Sequence, residues 1–336
     1  MGSNIGGYLT DIIGNFKVMA ISLLGMAICF TCIVLFQEFY MLCTWMIITA
    51  SFSSMFSPAA FSAVSLWGNP ENKTRGFSLL RMAINLGVAI GPAIGGFLAG
   101  TVGYRWLFIG DGFTSFLAFI ALFFVLGHRN VKKEIIKKED LVIESPYRDG
   151  ILLLFLLFNL FNMIAFFQIL FSVPVYFKEI VELDEKWIGI FFTVNGLLVF
   201  FLEMPLVYII EQKNKYFKPL VGGAFLIGLG YALLALVPNP LVAIALYSLL
   251  VALGEVINFP LIPSLVMRRA TEQNQGKYMG VVSMMFALAF LFAPVSGLPV
   301  IEIVGFHTYW YLAAAFSMVS AICLWLLRSH FVTSQN

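Results

Sequence analysis

The chain has 336 residues, 60% hydrophobic and 11% charged, with a mean hydropathy of +0.93 and a formal net charge of +2. A soluble domain carries about 25% charged residues, so this composition excludes a soluble enzyme, a nucleic-acid binder and a secreted disulfide scaffold. With the total charge near zero, its distribution along the chain is the informative quantity.

From the N-terminus, residues 1–16 form a short stub. Met1–Asp11 has neither a basic start nor a sustained apolar core, so it does not read as a signal peptide. Ten apolar runs follow, over roughly 17–36, 41–66, 76–100, 104–127, 150–176, 187–210, 218–237, 240–266, 278–301 and 308–328. Each matches the ~20 residues a helix needs to cross a hydrocarbon core of about 30 Å. Helices are expected, because lipid offers peptide groups no hydrogen-bond partner. A barrel would show alternating strands of about 10 residues. Cys29 and Cys32 form a CxxC inside an apolar run with no second pair and no nearby histidine. They read as packing residues, since a zinc site takes four ligands, and no metal site is expected. Asn72-Lys73-Thr74 is a formal glycosylation sequon on what the charge pattern makes the cytoplasmic side.

The loops alternate in charge. With Lys17 on the cytoplasmic side, seventeen of the 20 lysines and arginines fall there, and only Arg105, Lys178 and Lys186 fall opposite. That bias sets the orientation and predicts a cytoplasmic C-terminus. The one long hydrophilic connection, 128–149 (HRNVKKEIIKKEDLVIESPYRD), separates an N-terminal bundle over 1–127 from a C-terminal bundle over 150–336. Val131, Ile135 and Ile136 among lysines predict a short amphipathic helix there, lying at the membrane surface.

Two segments carry motifs. In the stub, Gly7-Tyr8-Leu9-Thr10-Asp11-Ile12-Ile13-Gly14 pairs turn-permitting glycines with an acid suited to a helix start. Further on, Gly87-Val88-Ala89-Ile90-Gly91-Pro92-Ala93-Ile94-Gly95-Gly96 spaces glycines four apart, which predicts a face open to close helix approach, with a bend at Pro92. The first, through Gly7, Leu9, Asp11 and Gly14, resembles the loop signature of the major facilitator superfamily. The second resembles the fifth-span signature of that superfamily's drug/proton antiporter branch, where it is associated with antiport. Tyr104–Phe108 is similar to the start of the family's sixth span, and 128–149 to its central loop.

The resemblance implies an all-α membrane protein with a major-facilitator-type two-bundle fold. Against the family's twelve spans, the chain lacks the first and most of the second; residues 1–9 as a helix reach only about 13 Å. An N-terminal truncation is therefore expected. The chain also departs from the family in its fourth span, where Phe39–Pro58 contains no basic residue. The family's arginine there is associated with proton transfer, so the resemblance supplies no proton route at that position.

Ionisable groups inside a membrane are costly and mark function. Glu203 and Glu255 lie deep in their spans, where burial favours the neutral acid and lets it take and release protons; both are candidate proton-coupling residues. Asp111 is expected to pair with Arg105, and Arg81 to snorkel to the cytoplasmic surface, with pairing to an acid across the helices as the alternative. Asn159, Asn162, Asn195 and Asn258 are candidate substrate contacts, since amides are costly to bury idle. Thr49, Ser51, Ser53, Ser54 and Ser57 are expected to bond between helices.

The expected function is proton-coupled efflux of small amphiphilic or drug-like molecules by alternating access, from a multi-pass position in the cell (inner) membrane. The alternatives are a transport-incompetent fragment of such a transporter, or a family transporter of sugars or other metabolites. Enzymatic activity is not expected: His128, His307 and His330 are scattered and no nucleotide-binding glycine loop is present. The expected partners are a small-molecule substrate, protons and the lipid bilayer, with no cofactor, no nucleic acid, and a single chain as the working unit.

Overall fold

The computed structural model describes residues 2–36, 38–67, 73–126, 145–213, 215–271 and 273–333, and among these the regular structure is helical. The helices are α1 (Gly2–Ile13), α2 (Asn15–Ile33), α3 (Phe39–Trp67), α4 (Lys73–Thr101), α5 (Tyr104–Leu126), α6 (Gly150–Glu179), α7 (Glu185–Gln212), α8 (Phe217–Leu236), α9 (Pro240–Asn258), α10 (Leu261–Met267) and α11 (Gln275–Thr333). Eight described helices are long and apolar enough to cross a membrane. The predicted span over 76–100 is α4, and α11 contains both 278–301 and 308–328, broken at Gly305, whose φ of 77° interrupts the helix. The span predicted over 240–266 divides into α9 and α10 at Phe259–Pro260, where proline removes a helix donor. Most of the central loop, including Val131, Ile135 and Ile136, lies outside the described residues, as does Asn72; Pro146–Arg148 form a single 3-10 turn ahead of α6.

Helix starts follow local chemistry. Asp149 caps α6 by accepting from the Leu152 N–H, and Asn239 caps α9 by accepting from Leu241 and Val242, with Pro240 in the first turn. Asp149 also receives two bonds from the Arg269 guanidinium, at 2.7 and 2.9 Å, which ties the start of α6 to the segment after α10.

The chain divides into two compact units. One comprises Met1–Trp67, Ile90–Arg148 and Ala270–Met284; the other comprises Gly68–Ala89, Asp149–Arg269 and Met285–Asn336. In the first, α2 packs on α3 and α5, and α1 on α3. Small residues let these helices close up: a Cβ on Gly25 would meet the Phe52 ring, and one on Gly112 the Thr31 hydroxyl. In the second, α9 packs on α7 and α8, with Gly223 against Gly254 at the α8–α9 crossing. Its core is aromatic. Trp310 is fully buried, stacked on Tyr231 at 5.6 Å and edge-on to Tyr176 at 5.4 Å, and the Tyr247 hydroxyl donates to that of Tyr231 at 3.0 Å.

Candidate functional site

The second unit buries a charged cluster among α4, α7 and α9. Arg81 of α4 donates through Nη2 to Glu255 Oε1 at 2.8 Å and through Nε to Glu203 Oε1 at 3.3 Å. Asn85, one turn further along α4, donates to the same Glu255 oxygen at 3.5 Å. The guanidinium also lies over the Phe259 ring, 4.8 Å from its centroid, which adds a cation–π contact. Glu203 is 0% exposed, and its second oxygen, Oε2, has no hydrogen-bond partner. The expectation that Arg81 snorkels is thus overturned: it is buried, because two acids on facing helices offer it a better partner than the distant aqueous surface. Its sequence signal was the i,i+4 spacing of Arg81 and Asn85, which places both on one face of α4.

Toward the start of α4 a second set repeats the theme. The Arg75 backbone N–H donates to Glu211 Oε1 at 3.0 Å, its guanidinium pairs with Glu211 Oε2, and it covers the Tyr208 ring at 4.5 Å. The Thr74 and Ser264 hydroxyls are hydrogen-bonded at 2.8 Å. The first four turns of α4 are therefore held on α7, α9 and α10 by polar bonds.

In the first unit, Asp11 spans the start of α11. Its Oδ1 accepts from the Gly276 N–H at 2.8 Å and its Oδ2 from the Lys277 N–H at 2.9 Å. These are first-turn donors with no partner within their own helix, and the carboxylate also meets the positive end of the helix dipole. Close backbone approach makes this possible: a Cβ on Gly7 would stand 2.3 Å from the Gly276 carbonyl oxygen. Gly14 ends α1 at φ 90°, ψ 157°, a conformation essentially confined to glycine.

The antiporter-type segment lies on α4. Among the described residues, an added Cβ on Gly87 or Gly91 meets nothing within 4 Å, whereas one on Gly95 meets Leu107 Cδ1 at 3.3 Å. The close helix approach expected along this face is therefore present at Gly95 alone of the three. The side chains of Pro92 and Gly96 lie outside the described residues. These contrasts set one expected result. Gly14→Ala lowers thermal stability by about 1–3 kcal/mol from backbone strain, whereas Gly91→Ala leaves it unchanged or raised by up to about 1 kcal/mol through helix propensity. Equal losses for both in thermal unfolding would refute this reading of the two glycines.

The four asparagines are spread over the second unit. Asn159 donates to the Phe155 carbonyl at 2.8 Å and its Oδ1 is buried without a partner; Asn162 Oδ1 accepts from Ser317 at 2.9 Å and its Nδ2 is buried without one. Asn195 donates to the Ser248 carbonyl at 3.3 Å, and Asn258 to the Leu220 carbonyl at 2.7 Å across the α8–α9 crossing. Ser51 and Ser54 bond to carbonyls three or four residues back in α3 and not to another helix; Thr49 bonds back to the Trp45 carbonyl but its side chain also meets Cys29 of α2, as expected. Arg105 donates to the Val34 carbonyl at 3.1 Å while Asp111 is exposed. Six residues apart on a helix is about 240° of turn, so the expected Arg105–Asp111 pair does not form.

The family model described as Major Facilitator Superfamily matches residues 1–294. YttB of Bacillus subtilis (strain 168), an uncharacterised MFS-type transporter, is 24% identical over 291 residues, covering 84% of this chain and 71% of that protein. Among solved structures, the human organic anion transporter MFSD10 (TETRAN) aligns with a TM-score of 0.77 at 15% identity, over 96% of this chain and 80% of that one. The proton:xylose symporter XylE, bound to 6-bromo-6-deoxy-D-glucose, aligns with a TM-score of 0.72 at 14% identity, over 96% and 82%. At these identities the structural likeness speaks for the fold.

Proposed function

The chain belongs to the Major Facilitator Superfamily, and from that premise we propose that it is a proton-coupled antiporter exporting small amphiphilic or drug-like molecules by alternating access. It is a multi-pass membrane transporter by family and by its apolar helices. The finer reading rests on one observation above all, the Arg81–Glu203–Glu255 cluster. Three ionisable groups buried among helices that cross the membrane are costly to maintain, and an acid with a free, buried oxygen is suited to carrying a proton. Antiport draws support from the likeness of Gly87–Gly96 to the antiporter signature, and a cytoplasmic C-terminus in the cell membrane from the distribution of lysine and arginine. Asn159, Asn162, Asn195 and Asn258 remain the proposed substrate contacts.

The test is uptake of ethidium, a lipophilic cationic dye, into inverted membrane vesicles with an acidified lumen. Uptake is expected only with the proton gradient, is abolished by a protonophore, and falls at least about ten-fold in Glu203→Gln, in line with the contribution of a positioned proton-transfer group. Gradient-driven uptake that survives both Glu203→Gln and Glu255→Gln would overturn the assignment of these acids.

A further inference from the structure

Two acids share one base in this cluster, and the geometry treats them differently. Glu255 takes the shorter bond, 2.8 Å from Arg81 Nη2, together with the Asn85 amide. Glu203 receives the longer 3.3 Å bond from Arg81 Nε, and its Oε2 makes no hydrogen bond within 3.5 Å, with the uncharged Ser78 hydroxyl as its neighbour. A guanidinium keeps its charge in any protein environment, so Arg81 balances one carboxylate and leaves the other. A second ionised carboxylate, fully buried with a bare oxygen, is the most expensive arrangement available; a proton on that oxygen makes the cluster neutral. The charged groups facing Glu203 are Arg81 from α4 and Glu255 from α9, and the neighbouring Ser78 of α4 carries no charge. On its own helix, the next acid, Glu211, lies eight residues away and is bound to Arg75.

We propose that the two glutamates divide the work: Glu255 is the standing counter-ion of Arg81, and Glu203 Oε2 holds the exchangeable proton, bound while the first half of α4 is docked on α7 and α9 and lost to water when it leaves. This rests on the proton-coupled reading above and gives it a direction. The docked arrangement holds one more proton than the released one, so acid favours docking and docking weakens as pH rises. Neutralising Glu255 removes this dependence. With Glu255→Gln, neutrality requires Glu203 to be ionised against Arg81, and it is ionised in water as well, so docking is insensitive to pH above about 5, where an exposed glutamate has lost its proton. With Arg81→Gln, two uncompensated acids both demand protons, so docking is weaker at every pH and keeps the parent's direction.

Docking is measurable without any substrate. Thr74 on α4 and Ser264 on α10 have hydroxyls 2.8 Å apart. In the full chain, with Cys29, Cys32, Cys43 and Cys323 replaced by serine, Thr74→Cys with Ser264→Cys reports docking as disulfide formation in membrane vesicles treated with copper-phenanthroline. The same pair carrying Glu203→Gln serves as reference, which cancels the pH dependence of thiol oxidation itself. Relative to it, cross-linking in the parent is expected to fall at least about five-fold between about pH 5 and 9, the range in which a buried carboxyl titrates. In Glu255→Gln it is expected to stay flat across the same range. A flat ratio for the parent overturns the proposal, as does a Glu255→Gln variant with the parent's slope. If Glu255→Gln is not recovered in the membrane, the parent-to-reference ratio decides alone. The two readings fail separately: a pH-dependent ratio without ethidium transport sustains the proton site and rejects the substrate class, whereas ethidium transport with a flat ratio does the reverse.

Discussion

Arg81→Met is expected to be the most damaging single substitution in the second unit, abolishing gradient-driven transport and lowering the midpoint of thermal unfolding by on the order of 10 °C. Methionine keeps most of the side chain's apolar volume but leaves Glu203 and Glu255 facing each other with no cation. Removing one partner of a buried ion pair costs about 3–5 kcal/mol, mostly from the charge left behind. The same reasoning says what restores stability. In Arg81→Met combined with Glu203→Gln and Glu255→Gln no charge remains, and neutral replacement of a whole buried ion cluster is often close to neutral in stability. The triple variant is therefore expected to regain most of the lost melting temperature while transporting nothing. Fluorescence-monitored unfolding in detergent, beside vesicle uptake, separates the two readouts. An Arg81→Met protein as stable as the parent would mean that the cluster is not the buried ion network described.

What sequence reasoning could and could not reach divides along a physical line. The spans were legible because hydrophobic length is a local property that lipid imposes on every helix, and the position of each predicted run agrees with a helix or a helix pair. Proline and glycine explain most of the differences: Pro260 splits one predicted span into α9 and α10, and Gly305 lets two spans run as one interrupted helix. The partners of Arg81 were not legible, since Glu203 and Glu255 lie 122 and 174 residues away and nothing local encodes which helix faces which. A single arginine two turns inside a span is compatible with snorkelling, and only tertiary packing decides. Glycine spacing misled for the converse reason. Gly87 and Gly91 permit a close neighbour, but permission is not contact, and among the described residues neither has one within 4 Å. At Gly276 and Gly280, also four apart, the spacing does mark contact, since both face Gly7 where two backbones touch.

Asp11 carries the second large expectation. Asp11→Ala removes both acceptors from the Gly276 and Lys277 N–H groups, each a charge-assisted bond of about 1.5–3 kcal/mol. It also removes the favourable charge at the start of α11, about 0.3–1 kcal/mol more. Part of this returns as solvation of the freed donors, so a net cost of roughly 2–4 kcal/mol is expected, with a loss of transport of at least about ten-fold. Asn keeps one acceptor oxygen and loses the charge, so Asp11→Asn should fall between the parent and alanine. Glutamate is one methylene longer, and the close approach of Gly7 to Gly276 leaves no room to absorb it, so Asp11→Glu should not rescue. The direct readout is amide hydrogen exchange over the first turn of α11. Faster exchange at Gly276 and Lys277, in the order parent, asparagine, alanine, identifies Asp11 as the cap that orders this helix end. Unchanged exchange with lost transport would assign the effect to the Lys277–Tyr8 contact, where the ammonium lies 5.5 Å from the ring centroid, and a Tyr8→Leu variant would then reproduce the defect.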